Sequence, residues 1–154
     1  MAAPKDPRPC SIADTLAVVG EKYSLLVLRE VFLGNGRFDR LVRNIGAPRD
    51  ILAARLRRLV DAGVLTKRMY SERPQRFEYR ATAAGLELEP VLMTLKAWGD
   101  RHLRQQDDRP MAIEHGCGEE FVPVVTCAGC GEEARHQDLT AHPRTPGWTV
   151  SGPE

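Results

Sequence analysis

No stretch of the 154 residues approaches the roughly 20 consecutive apolar residues that a membrane-crossing helix needs. Met1 to Pro9 is polar and proline-rich and holds no apolar signal core. These two absences lead to the expectation of a cytoplasmic protein without a membrane partner. There is no glycine-rich phosphate loop, no Gly-x-Ser-x-Gly elbow and no His-Glu-x-x-His pair. Histidine does not occur before His102. No catalytic constellation can be assembled from what remains, so an enzyme is not expected.

What is present is an ordinary globular composition, 42% hydrophobic and 28% charged. The length suits one main domain and an appendage. The net charge of +1 conceals an asymmetry. Residues 1–104 carry 19 Lys and Arg against 12 Asp and Glu, a net of +7, and residues 105–154 carry 3 against 9, a net of −6. A basic body suits a polyanionic partner, whereas an acidic tail would be repelled by it. The domains are accordingly expected at 1–104 and 111–154, joined by a polar linker at 105–110.

Hydrophobic periodicity organises the body. Ser11 to Val19 predicts a helix with Ile12, Leu16 and Val19 on one face, ended by Gly20. A second helix, Ser24 to about Leu33, is apolar nearly all round, which places it in a core. A short third helix spans Phe38 to Asn44, and Gly46 breaks it. Pro48 then opens a fourth helix with Ile51, Leu52, Leu56, Leu59 and Val60 as its buried stripe. The period changes at Val64 to Tyr70 and Arg76 to Ala81, two strands around a loop at Ser71 to Gln75. Thr82 caps a last helix running to about Arg104, bent at Pro90. Residues from about His142 onward are expected to be poorly ordered. The fold class is mainly α with a small β-hairpin (α+β).

Two short helices, a glycine break, a basic helix and a hairpin form the pattern of a winged helix-turn-helix. The DNA major groove admits one α-helix, which needs an apolar face for anchorage and a polar face for bases and phosphates. In the fourth helix Asp50, Ala54, Arg57 and Arg58 lie opposite the leucines, with Arg49 at the N-terminal end and Arg55 on the flank. Arg37, Arg40 and Arg43 precede it, and Arg73 and Arg76 sit on the wing. From Arg37 to Arg80 there are 12 basic and 5 acidic residues. The expected partner is double-stranded DNA; the alternative is a winged-helix module that binds another protein.

The sequence also resembles the HxlR-type family of bacterial winged helix-turn-helix regulators. The matching residues run from Cys10 to Trp98. They include Gly20-Glu21-Lys22-Tyr23-Ser24-Leu25-Leu26, Ile51-Leu52-Ala53-Ala54-Arg55-Leu56, and Glu78-Tyr79-Arg80-Ala81-Thr82 with Gly85. The family commonly has Trp where Tyr23 stands. The resemblance implies a transcriptional repressor, homodimeric on an inverted-repeat operator, with an interface at Ile12, Leu16, Val19, Leu92, Leu95 and Trp98. It also implies that a small molecule or oxidant acts as inducer, and that Cys10 senses oxidants in some members. Lys5 and Arg8 beside a helix start would favour the thiolate such a sensor requires.

The tail reads His115-Gly-Cys117-Gly and then Cys127-Ala-Gly-Cys130-Gly131. Two thiolates on one tight turn reach one tetrahedral ion, and His115 with Cys117 would complete a structural zinc site in a short ribbon. His136 or His142 could replace His115, and a Cys127–Cys130 redox pair is the alternative.

Overall fold

A computed structural model describes residues 8–152; Lys5, invoked beside Cys10, lies outside them. The described residues form two compact units, one spanning Leu16–Pro123 and the other joining the N-terminal stretch ending at Thr15 to Val124 and the residues after it. The division thus falls inside the tail rather than at 105–110.

The helices are α1 (Ser11–Val19), α2 (Lys22–Phe32), α3 (Phe38–Ile45) and α4 (Arg49–Asp61). Strands β1 (Leu65–Glu72) and β2 (Gln75–Ala81) follow, then α5 (Ala83–Leu86) and α6 (Glu89–His102). The core is built where the apolar stripes meet. Val27 and Leu28 of α2, Leu41 of α3, and Leu52, Leu56 and Leu59 of α4 are fully buried, with Leu65 of β1 almost so. Burying a leucine of this kind contributes on the order of 2 kcal/mol of transfer free energy. Ile51, expected in the same stripe, is instead exposed. It lies one residue before Leu52, about 100° around the helix, and so leaves the buried side.

Gly46 ends α3 in the left-handed conformation (φ 70°, ψ 22°), with its N–H donating to the Val42 carbonyl. This conformation costs glycine nothing and reverses the chain toward α4. Pro48 stands just before α4 with extended backbone (ψ 140°), and its carbonyl accepts from Leu52 N–H at 2.9 Å.

The hairpin is tighter than expected. Glu72 pairs with Gln75, so only Arg73 and Pro74 form the turn. Tyr70 is an extra residue between the pairs Met69↔Phe77 and Ser71↔Arg76, a bulge. Gly36 and Arg37 run alongside β2: Tyr79 N–H donates to the Gly36 carbonyl at 2.8 Å, and Arg37 bridges antiparallel to Glu78. The wing is thereby fastened to the chain entering α3.

The helix expected from Thr82 to Arg104 is two helices. The Thr82 side chain caps α5 by accepting from Gly85 N–H, and donates to the Gly63 carbonyl at 2.6 Å. Pro90 sits in the first turn of α6, where its missing N–H leaves no gap, rather than within a longer helix. Within the residues from about His142, expected to be poorly ordered, a turn forms at Thr149–Gly152, and Arg8 donates to the carbonyls of Thr149 and Val150. No helix among the described residues is long and apolar enough to cross a membrane.

Candidate nucleic-acid interface

One side of α4 is anchored by the three buried leucines, so the residues on the opposite side of the helix face outward. Arg49, Asp50 and Arg57 do so and are exposed. Arg49 meets Asp39 of α3 at 3.0 Å and lies over the Phe38 ring. Both partners are largely in water, where such a pair is worth at most about 1 kcal/mol. A phosphate or a base edge can replace Asp39 at little cost. Arg57 is close enough to Tyr79 for its charge to matter: burial raises the Tyr79 phenol pKa and Arg57 opposes that rise.

Between α3 and the wing runs a groove of about 410 Å³. Arg37, Arg40 and Arg76 supply its positive charge, and Phe38, Tyr70 and Phe77 its walls. The Arg37 guanidinium lies over the Tyr70 ring, 4.4 Å from its centre, and Tyr70 is the bulge residue. Cations held on aromatic walls keep their charge outward with little freedom to lose on binding. Arg73 stands exposed at the hairpin tip.

Arg55 and Arg58 are placed differently from the other expected DNA contacts. Arg55 is ion-paired with Glu21 and is only 22% exposed. Arg58 reaches the same Glu21 at 3.7 Å and donates to the Ala17 carbonyl. Both arginines point to the α1–α2 junction, so they brace α4 against the body. Pattern reading names Arg40 only as one of the basic residues preceding α4, and Glu21 only within the family resemblance; neither is assigned a contact. Arg40 stands three residues after Arg37, on the same flank.

Glu30 is a further residue to which pattern reading assigns no role. It is 4% exposed, at the end of α2 nearest the break. Its carboxylate accepts from Arg29, from Asn35 at 3.0 Å and from Asn44 at 2.8 Å. Burial alone would raise its pKa, but the hydrogen bonds from Asn44, Arg29 and Asn35 outweigh it and hold the carboxyl below its ordinary value of 4.5. An ionised glutamate thus ties α2 to α3.

The expected dimer residues divide. Val19 and Leu92 belong to the chain's own core. Ile12 (70%), Leu16, Leu95 and Trp98 are exposed, and Val91 joins Leu95 and Trp98 as a stripe along α6 at spacings of four and three.

All four cysteines are free thiols. Cys10 is half-buried, and its carbonyl accepts the first hydrogen bond of α1, from Asp14. His115 Nδ1 and Cys117 Sγ stand 3.1 Å apart on one turn. Cys127 and Cys130 share another, in which the N–H groups of Cys130 and Gly129, with the Cys130 thiol, lower the Cys127 pKa. No group of three potential metal ligands is assembled among the described residues.

Residues 18–107 match the family described as HxlR-like helix-turn-helix. The chain is 42% identical over 134 residues to Rv3095 of Mycobacterium tuberculosis, an uncharacterised HTH-type transcriptional regulator, spanning 86% of this chain and 85% of that protein. It is 37% identical over 98 residues to the HTH-type transcriptional regulator sll1512 of Synechocystis, which covers 63% of this chain and 73% of that one. Among solved structures it is similar to PA1607, described as a candidate transcription factor, with a TM-score of 0.78 and 31% identity over 88% of this chain and 95% of that one. It is also similar to the oxidised form of the redox regulator HypR, with a TM-score of 0.58 and 29% identity over 62% of this chain and 99% of that one.

Proposed function

Because this chain belongs to the HxlR-like helix-turn-helix family of transcriptional regulators, we propose that it acts in the cytoplasm as a homodimeric, non-catalytic repressor on an inverted-repeat operator. In this reading Arg49, Asp50 and Arg57 of α4 meet base edges in the major groove. The groove arginines Arg37, Arg40 and Arg76, with Arg73 at the wing tip, hold the phosphate backbone on either side. One observation carries the reading: on the leucine-anchored α4 the exposed Arg49 stands beside Asp39 and over Phe38, two of the residues lining the groove that Arg37, Arg40 and Arg76 make basic. Two-fold symmetry of the protein then predicts half-sites one helical turn apart.

Selection from a random duplex pool, followed by titration at several salt concentrations, tests it. The expected result is an inverted repeat bound with a steep salt slope. On the selected site Arg57→Ala should weaken binding by about 1–3 kcal/mol and relax sequence preference. Transcription from a promoter containing the site should fall when the protein is added. Weak binding that is blind to sequence, with no enriched site, would favour a winged helix that binds another protein.

A further inference from the structure

Residues 109–123 return to the side of α6, within the same compact unit, and leave a cavity of about 210 Å³ between themselves and the helix. Met93, Lys96, Ala97, Asp100 and Arg101 line it from α6. Spacings of three and four put these residues on one side of the helix, and the exposed Val91, Leu95 and Trp98 fall on the other. A partner chain seated on that exposed stripe would therefore leave the cavity open.

The facing wall is a short hairpin. Phe121 N–H donates to the Ile113 carbonyl at 2.6 Å, and Glu114 bridges antiparallel to Glu120. This pairing sets Ile113 and Phe121 side by side, with Pro123 following. All three line the cavity and are half-buried, as are Met93 and Ala97 across from them. The His115 ring lies against Phe121, 6.1 Å between centroids, and supports it.

The charges around this apolar lining are not balanced. Lys96 is answered by Asp100 at 2.6 Å within α6. Asp108 pairs with Arg104, at 3.4 Å. Arg101 and Arg109 also line the cavity, and among the described residues neither has a carboxylate within ion-pair distance. A guanidinium takes a carboxylate through two parallel N–H donors, a geometry that a neutral amide does not reproduce. Asp100 and Glu120 in the same lining disfavour a second negative charge on the ligand. The half-buried apolar side chains favour an apolar body, at about 25 cal/mol per Å² removed from water. The volume limits that body to a ligand of roughly ten non-hydrogen atoms, below the drug-sized range.

We propose that this cavity binds a small organic monocarboxylate, its carboxylate on Arg101 and Arg109 and its apolar body between Ala97, Ile113 and Phe121. The inference does not rest on the DNA-binding reading, because binding is measured without DNA.

Full-length ¹⁵N-labelled protein titrated with benzoate tests it. Amide resonances of α6 and of residues 109–123 should shift and saturate. Benzamide has the same shape without the charge, and acetate and inorganic phosphate have the charge without the body. Each should bind at least about tenfold more weakly than benzoate. Arg101→Gln combined with Arg109→Gln should lower benzoate affinity by about tenfold or more at unchanged helical content. Arg104→Gln, outside the lining, should leave it unaltered. The proposal is overturned if benzoate, phenylacetate and hexanoate all fail to give saturable shifts at α6. Benzamide or phosphate binding as well as benzoate would overturn it too. So would shifts centred on the groove of Arg37, Arg40 and Arg76, or full benzoate affinity in the double arginine variant.

Discussion

Glu30 shows how a single buried charge can join two helices of a core. It accepts hydrogen bonds from Arg29, Asn35 and Asn44, and thereby fixes the break between α2 and α3. Glu30→Gln removes the charge and presents an amide to donors that need an acceptor. Stability at neutral pH should fall by about 1–3 kcal/mol, read by denaturant unfolding. The sign of the pH dependence follows from the depressed pKa of the folded state. The contribution is complete above the unfolded value and is lost as pH falls through the folded one. The gap between the two proteins should therefore close below the ordinary carboxylate range, and a gap that is constant from neutrality to about pH 3 would contradict this. Pattern reading could not have found Glu30. A glutamate in an apolar helix is visible, but that Asn35 beyond the helix and Asn44 of α3 meet its carboxylate is decided only on folding.

At the scale of elements, the positions of α4 and the wing depend on contacts that join short segments. Arg55 and Arg58 both engage Glu21, which fixes α4 against the α1–α2 junction. Spacing alone put Arg58 on the outer face of α4 and Arg55 on its flank; helical angles do not reveal which outward residues find a partner on a neighbouring helix. The wing is held in turn by Gly36. A Cβ at this position would lie 2.0 Å from the Tyr79 carbonyl oxygen, which is backbone and cannot swing aside. Gly36→Ala should cost about 1–3 kcal/mol of stability and weaken duplex binding by displacing the arginine groove. A variant that unfolds and binds like the parent would show that β2 can move freely. The hairpin itself was legible from its alternation at Phe77 and Tyr79, but its two-residue turn and the bulge at Tyr70 were not. Those depend on which residues pair across the strands.

For the molecule as a whole, the exposed stripe of Val91, Leu95 and Trp98 is the feature a lone chain does not account for. Patches of this kind on soluble proteins mark interaction surfaces, and a second copy is the proposed occupant. Leu95→Glu would bury a charge in that contact. It should raise the dimer dissociation constant on the order of 100-fold, seen by sedimentation, and abolish tight binding to a duplex with two half-sites. A dimer that survives Leu95→Glu would place the interface elsewhere.

By itself the sequence determined the element order, the basic body and acidic tail, and the leucine stripe that seats α4. These are local properties, carried by periodicity, turn residues and composition, and they need no knowledge of which segments meet. Only the tertiary structure decided that Val19 and Leu92 are core while Leu95 and Trp98 are surface. It alone placed Arg55 and Arg58 on Glu21, and gathered Arg37, Arg40 and Arg76 around one groove. The reason is physical: burial and charge pairing are properties of distance between segments, and the chain sets those distances only when its apolar stripes pack together.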